Sequence, residues 1–181
     1  MKHTAVWNRL PDNGMEYCRL ELEPSIEITG KVIRVYEGEK YFVEYIVNCD
    51  QAGNTEEVHL YYRNESMSNR MTIARDGNGS WTWNRQVIEG VSEAKDIDIG
   101  ITPSTNVLPI RRLQLAVGES SELTTAWVRF PEFDIQPLRQ EYTRLDSFTY
   151  RYRSIESGYT AILKVDENGL VEDYEDEWIR L

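Results

Sequence analysis

Residues 75–83 read RDGNGSWTW. Asp-Gly-Asn-Gly between two strand-like runs is a hairpin signal, because Asn and Gly tolerate the positive φ that tight turns need. In the run that follows, Trp81 and Trp83 fall on one face of a strand. Asp166-Glu167-Asn168-Gly169, between YTAILKV and LVEDY, carries the same signal. Short alternating runs fill the chain at similar spacing. They are Tyr17–Leu22, Ile26–Val35 with Gly30 as a bulge or bend, Tyr41–Val47, Val58–Tyr62, Met71–Ala74, Ile97–Ile101, Ile110–Val117, Leu123–Phe130 and Phe148–Ser154. Phe133–Leu145 is ambiguous: Leu138, Tyr142 and Leu145 suit a helix, but Pro137 and the β-branched residues oppose one. No amphipathic helix of 12 or more residues stands out, and no fixed repeat or linker is visible. The pattern predicts an all-β chain with little helix, residues 1–181 as one domain, and an antiparallel sheet bent into a barrel or half-barrel.

Bulk properties narrow the function. The chain has 181 residues, 40% of them apolar, and a net charge of −11. A chain this long buries roughly 70% of its unfolded surface and needs no staples. The acidic surface repels nucleic acid. No signal-like apolar run follows Lys2 and no run spans a membrane, so a cytoplasmic location is expected. Cys18 and Cys49 read as buried thiols in a reducing compartment. With only His3 and His59, a His-rich zinc site is excluded, and a Ser-His-Asp triad would have to use His59. P-loop, dinucleotide-fold, GxSxG, HExxH and CxxC signatures are absent. No cofactor is expected.

The polar stretch with most chemistry is DIDIGITPSTNVLPIRRLQLA, residues 96–116. Asp96 and Asp98 share a strand face about 7 Å apart. That spacing suits a solvated face, ion pairs with Arg111 and Arg112, a polar-ligand site, or the acid and base of a glycoside hydrolase. Read as a strand, Arg111 and Arg112 point to opposite faces, so one of them meets a pocket. It could pair with an aspartate or fork onto a ligand anion. Asn106 caps the turn or offers an amide to a ligand. Five Trp and eleven Tyr supply core, or stacking area for a sugar or lipid. Phe148, Tyr150 and Tyr152 form a one-faced stripe.

Several of these segments together resemble a bacterial family of glycolipid-binding proteins, formerly a domain of unknown function. The matching pieces are DIDIG (96–100), TPSTNVLPIRRL (102–113), AWVRFP (126–131), Gln140-x-Tyr142, Tyr150-Arg151-Tyr152 and VDENGLVEDY (165–174), with Trp7 near the start and Trp178 and Arg180 near the end. The resemblance is dense from Asp96 onward. It implies a single highly curved antiparallel sheet with an internal cavity, similar in outline to lipoprotein carriers. The expected partner is a glycolipid or other amphipathic small molecule, and the expected role is binding rather than catalysis. Expected ligand-binding residues are Asp96, Asp98, Asn106, Arg111, Arg112, Trp127, Tyr142, Tyr150 and Tyr152. The alternative is a carboxylate-dependent glycoside hydrolase using Asp96 and Asp98.

Overall fold

A computed structural model describes residues 2–181. It is 57% strand and 6% helix, an all-β fold as the alternating runs imply. The chain divides into two compact units, one reaching Glu89 and regaining Glu177–Leu181, the other Gly90–Asp176. No helix among the described residues is long and apolar enough to cross a membrane.

The first unit contains β1 (Lys2–Arg9), β2 (Asn13–Glu21), β3 (Glu27–Tyr36), β4 (Glu39–Cys49), β5 (Thr55–Arg63), β6 (Ser68–Arg75), β7 (Trp81–Trp83), β8 (Gln86–Val87) and β15 (Trp178–Arg180). They hydrogen-bond in the order β8-β7-β6-β5-β4-β3-β2-β1-β15. Every pairing in that series is antiparallel. The hairpin at 75–83 forms as its residues dictate, with Asp76 Oδ1 accepting from the Asn78 and Ser80 amides at 2.9 and 2.8 Å. Alternation then puts Trp7, Cys18, Val32, Val43, Tyr45, Leu60 and Ile73 on one buried face. Cys18 and Cys49 are buried and form no disulfide. His59 is about half exposed and pairs with Glu57 at 3.1 Å, a surface contact.

Gly30 is neither bulge nor bend. It sits in unbroken register between Cys18 and Tyr45. A Cβ there would lie 2.2 Å from the Tyr45 ring, so the missing side chain is the space the ring occupies. The Tyr45 hydroxyl then reaches Glu16, a carboxylate only 1% exposed.

The second unit contains β9 (Asp96–Ile99), a 3-10 turn (Ser104–Asn106), α1 (Val107–Leu113), β10 (Ser120–Val128), β11 (Ile135–Arg144), β12 (Thr149–Ser154), β13 (Thr160–Val165) and β14 (Val171–Tyr174). The order is β14-β13-β12-β11-β10-β9. The ambiguous segment is strand β11, its Pro137 opposite Ala126.

One expected strand is a helix. Residues 107–113 form α1, with Val107, Leu108, Pro109 and Ile110 buried. Pro109 lies in the first turn, where a missing N–H costs no helical hydrogen bond. Gln114 stops the helix in the left-handed region at φ 47. The cause is topological. β9 and β10 pair in parallel, Thr125 opposite Asp96 and Val128 opposite Ile99. Parallel neighbours need a crossover, and a helix is the usual one.

Replacing Gly30 by Ala should destabilise the chain by about 1–3 kcal/mol, the cost of overfilling a packed site. Tyr45→Leu should cost less in the Gly30→Ala background than in wild type, because there it relieves the clash while in both it strips Glu16 of its hydroxyl partner. Urea unfolding of the single and double variants against wild type checks both; an unchanged midpoint for Gly30→Ala would remove the steric account.

Candidate functional site

The stretch around α1 holds most of the residues singled out by sequence, and three polar contacts fix it in place. Asp96 on β9 is 0% exposed. It accepts a two-pronged contact from Arg112, Nε to Oδ1 at 3.1 Å and a terminal nitrogen to Oδ2 at 2.5 Å. Tyr142 on β11 donates its hydroxyl to Asn106 Oδ1 at 2.7 Å, while the Asn106 amide donates to the Pro103 carbonyl at 3.0 Å. Arg111 donates to the Asn168 carbonyl at 2.9 Å, in the turn joining β13 to β14. Its stem lies across Gly169, where a Cβ would approach the Arg111 Cγ to 3.3 Å.

Under these contacts the helix buries an apolar side. Ile110 and Leu115 pack with Tyr142, Tyr150, Tyr152, Leu163, Val165 and Val171. The Tyr142 and Tyr152 rings meet edge-on at 5.4 Å. The tyrosine stripe therefore builds core, and α1 covers this sheet face. Of the stripe, Phe148 is 53% exposed.

Asp98 differs from its neighbour Asp96. It stays partly open to solvent, and Gln140 Nε2 donates to its Oδ2 at 2.6 Å. Burial raises its carboxyl to about 6, against the hydrogen bond from Gln140. Burial and the Asp98 charge in turn push the Tyr152 phenol upward, while its hydrogen bond with Gln140 pulls it back. Burial also raises Tyr142. Trp127 stands opposite Asp98 in the β9–β10 register. Its indole Nε1 lies 2.8 Å from where a Gly100 Cβ would be, so the glycine admits the ring. Gln140, which links Asp98 to Tyr152, was not among the expected site residues. Its signal was its place two residues before Tyr142, on the same strand face.

The two arginines separate because a helix turns about 100° per residue. Arg112 borders a hollow of about 420 Å³ with Lys95, Leu113, Ser121, Leu123 and Arg139 among its walls. Arg111 borders another of about 300 Å³, with Arg144, Phe148 and Tyr150. Each arginine thus meets its own cavity, and the strand-based choice between them does not arise. The larger hollow lies along Ser121–Thr124, in the part of β10 beyond the reach of β9, which pairs only with Thr125–Val128.

Of the Asp96–Asp98 pair, only Asp98 is open. A two-carboxylate glycosidase needs both groups free at the scissile bond, one to protonate the leaving oxygen and the other to act on the opposite face of the sugar. Asp96 is sealed and ion-paired to Arg112.

Asp96→Ala should cost about 3–5 kcal/mol, because it strands the Arg112 charge in a largely buried position. Chemical denaturation measures this; a loss below about 1 kcal/mol would place the anchor elsewhere. Asp98→Asn should behave oppositely. The folded carboxyl titrates near 6, above the ~3.9 of an unfolded aspartate. The folded state therefore keeps its proton longer, and this group's contribution falls as pH rises from about 4 to about 6, then stays level. Asp98→Asn should gain on wild type across that window, by up to about 2 kcal/mol, with Gln140 still donating to the amide oxygen. Unfolding curves at pH 4 and pH 8 decide it, and a constant difference between them would refute the raised carboxyl.

Comparison with known proteins places this architecture. A family model described as "Putative glycolipid-binding" matches residues 4–180. The crystal structure of a DUF1089 family protein from Pseudomonas aeruginosa is similar at 32% identity and a TM-score of 0.86, over 96% of this chain and 95% of that one. No curated protein matches the chain. The match runs through both compact units and takes in β9, α1 and the three contacts that hold the helix, and on it the chain belongs to the glycolipid-binding family.

Proposed function

We propose that the protein binds a glycolipid, or another amphipathic molecule with a polyhydroxy head, and seats that head in the hollow beside Arg112. The observation that carries this reading is the family match over residues 4–180. The hollow supports it on chemical grounds. A sugar presents hydroxyls that both donate and accept, so it needs donors and acceptors interleaved. Lys95 and Arg112 donate, Glu93 accepts, Arg139 and Glu122 form an ion pair at 2.9 Å on the wall, and Ser121 and Thr124 do either. Leu113 and Leu123 add apolar area for a ring face or an acyl stem. A volume of about 420 Å³ falls within the roughly 300–1,000 Å³ usual for small-molecule sites.

Among the expected site residues, this reading divides the labour by exposure. Arg112 meets the ligand, and Asp98 with Trp127 forms a neighbouring polar and aromatic surface for it. Asp96, Asn106 and Tyr142 hold the helix that carries Arg112. Tyr150 and Tyr152 hold the sheet face beneath. The role in this reading is binding, since the Asp96–Asp98 pair that a hydrolase would use has one member sealed against Arg112.

Native mass spectrometry of the full chain against a panel of glycolipids and matched lipids without sugar tests the proposal. Glycolipids should be retained and their sugar-free counterparts released. Lys95→Ala, at an exposed position, should weaken retention about tenfold through loss of a charge-assisted contact and leave the melting temperature unchanged. Equal retention of both lipid sets, or none of either, would end this assignment.

A further inference from the structure

The smaller hollow has a charge arrangement that the family match does not address. Arg111 and Arg144 both border it. Main-chain carbonyls orient each guanidinium. Arg111 donates to Asn168. Arg144 donates to Leu115, Asp146 and Ser147 at 2.8–3.1 Å and lies over the Tyr150 ring at 5.8 Å. Among the described residues neither guanidinium makes an ion-pair contact, although the Asp146 carboxylate acts on Arg144 at longer range and the chain carries a net charge of −11. Carbonyl oxygens hold a guanidinium still without cancelling its charge. Two cations fixed in this way and facing one cavity are suited to an oxyanion, which arginine takes with planar forked geometry.

Acidic groups border the same space. Asp166 serves the turn, accepting from the Asn168 and Leu170 amides at 2.9 and 3.0 Å. Glu167 stands exposed at the rim. A bare polyanion would feel both repulsions. A ligand with a cation beside its anion satisfies both sets of charges, and Phe148, 53% exposed, adds an aromatic face on which an ammonium can rest.

We infer that the Arg111–Arg144 hollow is a binding site for a phosphate ester bearing an adjacent ammonium group, with the phosphate on the arginines and the ammonium toward Glu167 at the rim. The site uses a hollow other than the proposed sugar site and stands whether or not that site holds a sugar.

Calorimetric titration of the full chain with O-phosphoethanolamine, inorganic phosphate and ethanolamine tests it. O-phosphoethanolamine should bind at least about tenfold more tightly than either fragment. Arg111→Met keeps the stem over Gly169 and should weaken both phosphate probes by about tenfold. Glu167→Gln, at an exposed position outside the core, should weaken O-phosphoethanolamine while strengthening inorganic phosphate. That crossing of signs is specific to the charge pair and cannot arise from misfolding. No preference for the zwitterion, or retention of its affinity in Arg111→Met, overturns the assignment. Co-sedimentation with phosphatidylethanolamine vesicles names the source. Wild type pelleting and Arg111→Met staying in solution assigns a lipid head group, whereas titration without pelleting assigns a free phosphate ester; both uphold the site.

Discussion

The Asp96–Arg112 ion pair is the constraint from which the second unit is organised. Both groups lie in low-dielectric surroundings, where desolvation takes back much of the Coulombic gain. The pair is therefore better understood as a positional device than as a source of stability. It joins the first residue of β9 to the last turn of α1. That contact fixes the crossover, and the crossover makes the parallel β9–β10 pair possible. Once the helix is seated, Asn106 meets Tyr142 and Arg111 meets the Asn168 carbonyl. The helix has only seven residues. It is too short to be stable alone, so these contacts and the Ile110 and Leu115 packing are what keep it helical.

The antiparallel parts of the fold were legible because their signals are local. Asp76-Gly77-Asn78-Gly79 and Asp166-Glu167-Asn168-Gly169 state their turns outright, and strand alternation follows. The parallel pair was not legible, since no local signal distinguishes a crossover from a hairpin. Apart from Arg111, Arg112 and Gln114, residues 107–117 are apolar and partly β-branched, and the seven that form the helix give two turns at most, too few to show a period of 3.6. Reading them as a strand led to the idea that one arginine faces in and the other out. Gly30 was misread for a related reason: a glycine within a strand marks either a bend or a close approach, and only the Tyr45 ring decides which.

The site was legible in part. Sequence brought forward Asp96 with an arginine partner, and the structure selects Arg112. It brought forward Tyr150 and Tyr152 as a stripe, and their place in the core follows from a helix that the alternation could not show. Gln140 stands in the Gln140-x-Tyr142 motif, but an amide carries no charge that would mark it as a site residue. Its importance comes from lying within hydrogen-bond reach of Asp98. Neither hollow could have been anticipated, since each is bordered by groups far apart in sequence.

Side by side, Asp96 and Asp98 show how position divides one residue type into two uses. Asp96 is given a cation and sealed, so it is committed to the fold. Asp98 is given a neutral amide and left partly open, and its carboxyl rises to about 6. A charge held at such a cost to the folded state is a poor choice for stability alone. Asparagine would keep the contact with Gln140 without that cost. Under the binding proposal, a ligand hydroxyl donating to this partly open carboxylate would offset that cost, since charge-assisted hydrogen bonds are about twice as strong as neutral ones. Arg111 and Arg144 are likewise held by main-chain carbonyls with no carboxylate in contact, although the Asp146 charge acts on Arg144. Under the phosphate-site proposal, the contacts that seat α1 through Arg111 and brace the turn after β11 through Arg144 would also aim both guanidinium groups at one hollow.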